Sequence, residues 1–242
     1  YTKNKHEEIV NKTTILTLTS YITNAKEMIK WIDEITEIYI NKQKSYFEKC
    51  QMFCNVCYEK GFIRTRFIKF ESNITFDTNY FPCQKEIIER IDFFINKEDF
   101  FKEKGIKRSL NFLFSGEPGT GKTGLIKAIA NYTKRHILML KISPDFPISD
   151  IDNILSGFIN KNSIFDINNI IFVIEEIDLI STSFNNRELI ETVKIEKDKD
   201  NSKEKNALSV ILNALDGIPE SNGRMIIMTT NCPEKLDSAI KR

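Results

Sequence analysis

Residues 116–124 read Gly-Glu-Pro-Gly-Thr-Gly-Lys-Thr-Gly and hold four of the chain's nine glycines. The spacing G-x-x-x-x-G-K-[ST] is complete from Gly116 to Thr123. A backbone with so few Cβ atoms turns tightly and comes close to a ligand. Along Gly116, Glu117, Pro118, Gly119, Thr120, Gly121 and Gly124 the peptide N–H groups would converge on an anion, helped by the positive end of a following helix. Lys122 would reach the β- and γ-phosphates of a nucleotide, and the Thr123 hydroxyl would take one Mg²⁺ position. Pro118 restricts the loop and lowers the entropy lost on ordering it. The bland alternative is a glycine-rich turn with no ligand.

Phosphate chemistry also needs acid. Residues 169–178 read Asn-Ile-Ile-Phe-Val-Ile-Glu-Glu-Ile-Asp. Five successive apolar residues suit a strand buried on both faces of a parallel sheet. Its carboxyl end, where open α/β sheets place ligands, would present Glu175 for Mg²⁺ and Glu176 to orient and polarise a hydrolytic water. Asp178 follows on the same tip. A third run, Arg224 to Thr230, ends at Asn231, which would hydrogen-bond that water or the γ-phosphate. A solvated acidic strand end and a strand-capping Asn are the plain alternatives for these two features.

The elements that must position these groups alternate. Strands are expected at 110–115, 136–142, 169–175 and 224–230, with helices at 122–134, about 149–160 and about 206–216. Alternation of this kind implies a parallel sheet with right-handed crossovers. An amphipathic helix is expected from Lys85 to about Glu103. Upstream, residues 1–70 are expected to form a small α+β domain: a strand at Thr14–Thr19, a helix from Ala25 to about Lys44, and a hairpin of 46–58 and 62–70 around Gly61. Residues 71–109 then form a linker and leading helix, and 110–242 the core.

Gly116–Thr123, Glu175-Glu176-Ile177-Asp178 and Thr229-Thr230-Asn231 resemble Walker A, Walker B and sensor 1 of an AAA ATPase. Asn213-Ala214-Leu215-Asp216-Gly217 and Met228 to Asp237 are similar to the mitochondrial complex III assembly branch, the Rieske-protein translocases. Related AAA proteins of large DNA viruses share the resemblance. It covers about residues 70–242. It implies a P-loop NTPase core, a three-layer αβα parallel sheet cut before the helical lid, with ATP and Mg²⁺ as ligands and self-association into a ring. It implies that Asn73–Asp77 passes near the adenine and that Ser143–Pro147 lies where ring ATPases carry a pore loop. Arg242 matches the first arginine of the second region of homology; the second arginine, the lid and a fifth strand beside the glycine-loop strand would follow it. Glu175 departs from the aspartate usual in AAA proteins, and its extra methylene puts the hydrolysis rate, not binding, in question.

The composition sets outer bounds. The chain has 242 residues and a formal net charge of +1, which gives no bulk electrostatic drive toward nucleic acid or anionic membranes. It contains no run of about 18 apolar residues and no secretory h-region. Opening at Tyr1 and ending inside a motif, it reads as part of a longer protein. Five cysteines without a small disulfide scaffold suggest a reducing compartment, cytoplasmic by default, with a membrane-anchored mitochondrial or a viral setting as alternatives. Cys50, Cys54 and Cys57 sit among aromatic and aliphatic neighbours and read as packing thiols, with zinc or an iron–sulfur cluster as the other readings. The charged stretch 182–205 reads as a solvated insertion, with a partner contact as the minority reading. Phe146 would either pack or grip a substrate chain.

The expected function is ATP hydrolysis that remodels or moves a protein client. The alternatives are an ATP-binding scaffold with little turnover and, less favoured, nucleic-acid remodelling. No Asn-Lys-x-Asp motif favours GTP.

Overall fold

The computed structural model describes residues 17, 19–143, 145–157, 166–178, 211–213, 215, 222–236 and 240. In chain order its elements are α1 (Ala25–Lys49), β1 (Met52–Glu59), β2 (Phe62–Lys69), α2 (Gln84–Asn96), α3 (Glu98–Lys104), β3 (Ser109–Ser115), α4 (Lys122–Thr133), β4 (His136–Leu140), α5 (Ile148–Leu155), β5 (Ile170–Ile174) and β6 (Arg224–Thr230). Residues 211–213 and 215 are helical. The chain forms two compact units, Tyr1–Gln43 and Lys44–Arg242. In the first, the Asn24 side chain accepts the Glu27 N–H at 2.9 Å and caps the start of α1. There α1 leaves Ile29, Trp31, Ile38 and Tyr39 exposed.

In the second unit, the described strands build one sheet in the order β2-β1-β4-β5-β6-β3. Every neighbouring pair is parallel except the β1–β2 hairpin. The carboxyl ends of β1, β4, β5, β6 and β3 therefore share one edge. Period-two alternation sorts the strand residues into two cores. Ile171 and Val173 of β5 join Ile87, Ile91 and Phe94 of α2 and Leu125, Ile126, Ala128 and Ile129 of α4 on one face. Ile170, Phe172 and Ile174 join Ile151, Ile154 and Leu155 of α5, with Ile211 and Leu215, on the other. This is the three-layer αβα arrangement, and it explains why β5 and β6 are buried throughout.

Several expectations need correction. The sheet does not stop at a boundary near residue 70: β1 pairs in parallel with β4 from Phe53↔Ile137 to Val56↔Leu140. Hairpin and core therefore share one sheet. The hairpin itself stands where expected, because Lys60 and Gly61 both take positive φ, 53° and 82°, as a two-residue turn matched to strand twist requires. Residues 46–49 belong to α1 and not to a strand, since no Gly or Pro interrupts the helix before Cys50. The helix expected from Lys85 to Glu103 is broken at Lys97, with φ −112° and ψ 42°. Across the break Phe93 meets Phe100 and Phe101 edge-on at 5.2 and 5.7 Å, a contact a straight helix would not make. Most of the strand expected at 14–19, and all of 182–205, lie outside the described residues.

Candidate nucleotide-binding site

β3 delivers the glycine loop to the carboxyl edge of the sheet. Its register with β6 runs to Ser115↔Thr230, and the Gly116 N–H donates to the Thr230 carbonyl at 3.3 Å. The loop then turns back on itself. Gly119 and Gly121 take φ of 83° and 91°, conformations that L side chains adopt only with strain. The Thr120 hydroxyl donates to the Glu117 carbonyl at 2.8 Å. Gly121 caps α4, which starts at Lys122, so the helix's first free N–H groups face the loop. The Lys122 ammonium donates to the carbonyls of Gly116 and Glu117 at 2.7 and 3.0 Å. That places the cation across the loop's mouth.

β5 brings the acid. Its last residue, Ile174, is level with Met228 of β6, and the next two residues are Glu175 and Glu176. Glu175 Oε1 lies 3.4 Å from Thr123 Oγ1. The Thr123 hydroxyl donates to the carboxylate at the long end of the hydrogen-bond range, and the two oxygens are hard donors of the kind Mg²⁺ takes. Glu176 is exposed and has φ 54°. Asp178 is buried, and its Oδ1 accepts the Thr230 hydroxyl at 2.7 Å. Asn231 follows β6 directly, half-buried, one residue beyond the Thr230 carbonyl that holds Gly116. A cleft of about 480 Å³ bordered by Tyr58, Lys141, Ser143, Glu175 and Glu176 opens beside the carboxylates.

The residues singled out from the sequence thus converge: Gly116–Gly124, Glu175, Glu176 and Asn231 occupy one edge. Arg242 lies outside the described residues. The donor set fits Mg²⁺ carried by a triphosphate, because a hydroxyl and a carboxylate face each other at the start of α4, the helix that also carries the Lys122 ammonium. Two contributors had no assigned role in the sequence reading, the hydroxyls of Thr229 and Thr230. Their signal was present as two β-branched hydroxyl residues following the apolar stretch Met225 to Met228.

Other residues weighed from the sequence make packing contacts. Phe146 is buried and packs on Tyr58 with ring centroids 6.0 Å apart, so it does not reach out to a substrate chain. Cys54 and Cys57 stand three apart on β1 and so project from opposite faces. Burial pushes the Cys54 thiol up to about 12. Burial, then the Glu59 carboxylate, raises Cys57 as well. The segment after Phe70 is held over α4, where the Asn131 amide donates to the carbonyls of Ser72 and Ile74 at 2.9 and 2.7 Å. Phe81 lies 3.6 Å from where a Cβ on Gly124 would sit.

A three-layer sheet with this loop and these carboxylates defines an ATPase fold. The family model for "ATPase family associated with various cellular activities (AAA)" matches residues 112–242, and the chain belongs to that family. Its relatives include AAA-ATPase At2g18193 of Arabidopsis thaliana, 34% identical over 179 residues, covering 72% of this chain and 33% of the relative. AAA-ATPase At5g17730 of the same plant is 30% identical over 237 residues, 96% of this chain and 44% of the relative. Protein HYPER-SENSITIVITY-RELATED 4 is 34% identical over 159 residues, 64% of this chain and 26% of the relative. The chain thus spans about a third of the length of its first-matched relative.

Proposed function

We propose that this chain binds ATP with Mg²⁺ and hydrolyses it, and that as part of a ring oligomer it uses the turnover to remodel or move a protein client. The observation that carries the reading is the convergence of Lys122, Thr123 and Glu175 on one edge, with Thr123 Oγ1 facing Glu175 Oε1 at 3.4 Å. Loop amides and Lys122 would hold the β- and γ-phosphates. Thr123 and Glu175 would hold Mg²⁺, which supplies charge neutralisation on the phosphates. Glu176, exposed at the strand tip, would orient a water whose oxygen attacks the γ-phosphorus as the bond to the β–γ bridging oxygen breaks. Asn231 would hold that water or the γ-phosphate from the adjacent strand. An arginine from a neighbouring copy would stabilise the charge, and Arg242 is the candidate to supply it in turn.

The motif resemblance supports placing the chain with the complex III assembly type and its viral relatives. The near-neutral charge favours a protein client over nucleic acid. Five free thiols favour a reducing compartment. Glu176→Gln in the full-length protein is expected to retain ATP binding and to lower phosphate release at least about a hundredfold. Unchanged release would remove Glu176 from this role. Phosphate release near background in the unmodified protein would favour the scaffold reading, for which the extra methylene of Glu175 is the motive.

A further inference from the structure

We infer that Thr229 is a positioning residue for Glu176: its hydroxyl holds the left-handed backbone turn that turns this carboxylate out of the core. The inference rests on the reading of Glu176 as the water-orienting group.

The argument starts from strand parity. In an extended chain residues i and i+2 share a face. Ile174 enters the core on the α5 side, so an extended continuation of β5 would drive Glu176 into the same apolar layer. The chain does otherwise. Glu176 takes φ 54°, and the next residue, Ile177, enters that core at 0% exposure. The turn thus exchanges which residue is buried, and Glu176 is left exposed beside Glu175. Three other described non-glycine residues have positive φ, Lys60, Cys83 and Lys134. Lys60 is in the hairpin turn, and Cys83 and Lys134 cap helix ends, where the path of the chain accounts for them. At Glu176 the left-handed conformation lies between a strand and a buried residue, and something must hold it.

Thr229 supplies that hold. The Glu176 N–H donates to Thr229 Oγ1 at 3.2 Å, and Thr229 is 4% exposed, so water competes poorly for the bond. The next residue secures the far side of the same turn. The buried Thr230 hydroxyl donates to Asp178 Oδ1 at 2.7 Å and accepts the Cys232 N–H at 3.0 Å. Two successive hydroxyls on β6 therefore grip both ends of the 176–178 turn. A valine at 229 keeps the shape and strand preference of threonine and removes only the acceptor. The Glu176 N–H then loses its partner, and the carboxylate loses its fixed direction.

The test is steady-state ATP hydrolysis by the full-length protein, with nucleotide affinity and thermal midpoint measured alongside. Thr229→Val is expected to lower kcat about tenfold or more. Nucleotide Kd should stay within about twofold, because the loss falls on the transition state and not on binding. Thr229→Ser restores the acceptor and is expected to keep kcat within about threefold of the unmodified protein. Thr229→Val at full kcat overturns the inference. So does a parallel fall of kcat, affinity and thermal midpoint that Thr229→Ser fails to restore, since that is the signature of a merely structural residue. If Thr229→Val cannot be purified folded, Thr229→Ala takes its place with the same criteria. Glu176→Gln, run beside them, separates the two levels. If it is inert while Thr229→Val is fully active, only this inference fails; if it turns over normally, the role of Glu176 fails first.

Discussion

At the carboxyl edge of the sheet, Lys122, Glu175 and Glu176 are half-buried or exposed. At the amino edge, Arg135 and Arg224 are 8% and 1% exposed. Arg224 Nη1 donates to the carbonyl of Leu155, the last residue of α5, at 3.1 Å, where the helix dipole also favours a cation. Arg135 Nη1 donates to the Gly223 carbonyl at 2.8 Å. Two guanidinium groups lie over Phe94, those of Arg135 and Arg108, 5.2 and 5.7 Å from its ring centroid. Arg108 also bonds Asn168 and pairs with Glu98, each at 3.0 Å. Burial, and then the charge of Arg108, brings the Arg135 guanidinium down to about 10. The contrast is instructive. A charge meant for a ligand stays near water, which carries its solvation until the ligand arrives. A charge used as structure must be bonded within the protein, because an unpaired buried cation is costly.

The contrast can be broken at either edge. Lys122→Ala should act on function alone, weakening Mg-ATP binding at least about a hundredfold, roughly 3 kcal/mol, while the thermal midpoint hardly moves. Titration calorimetry and a melting curve check both halves, and a large drop in stability would refute the separation. Gly223→Ala should do the reverse. Gly223 has φ 86°, and a Cβ there would stand 1.7 Å from Asn168 Oδ1 and 2.9 Å from an Arg108 nitrogen. Strain and the disturbed network should cost about 2–4 kcal/mol, read by denaturant unfolding, with ATP affinity of the folded fraction unchanged.

The smallest effect concerns His136, the first residue of β4. Its Nδ1 accepts the Met52 N–H at 3.0 Å, and burial lowers its pKa below 6.5. The unfolded chain therefore takes up this proton more readily than the folded one. The contribution is complete above about pH 6.5 and is lost as pH falls below that value toward the folded pKa. His136→Asn, which keeps an acceptor but does not titrate, should lose less stability than the unmodified protein between pH 7.5 and 5.5. Equal slopes would show that the imidazole does not contribute.

Legibility divided along similar lines. The glycine loop and the apolar runs 170–174 and 225–228 could be read directly, because a phosphate loop is a contiguous pattern and a doubly buried strand carries an unbroken apolar stretch. The break at Lys97 could not, since it depends on Phe93 meeting Phe100 and Phe101 and not on a Gly or Pro. The arginine network joins residues 60 to 88 positions apart, and no local pattern announces such partners. Arginines 108, 135 and 224 look like ordinary solvated charges until the strands are in register.

Local order along the chain was thus enough to mark the glycine loop, the central strands and the groups proposed to meet a nucleotide. The hairpin's place on the edge of β4, the outward turn at Glu176 and the hydroxyls that hold it came only with the assembled sheet. Each depends on register between segments far apart in the chain, and register is settled by the joint burial of both sheet faces and not by any single segment.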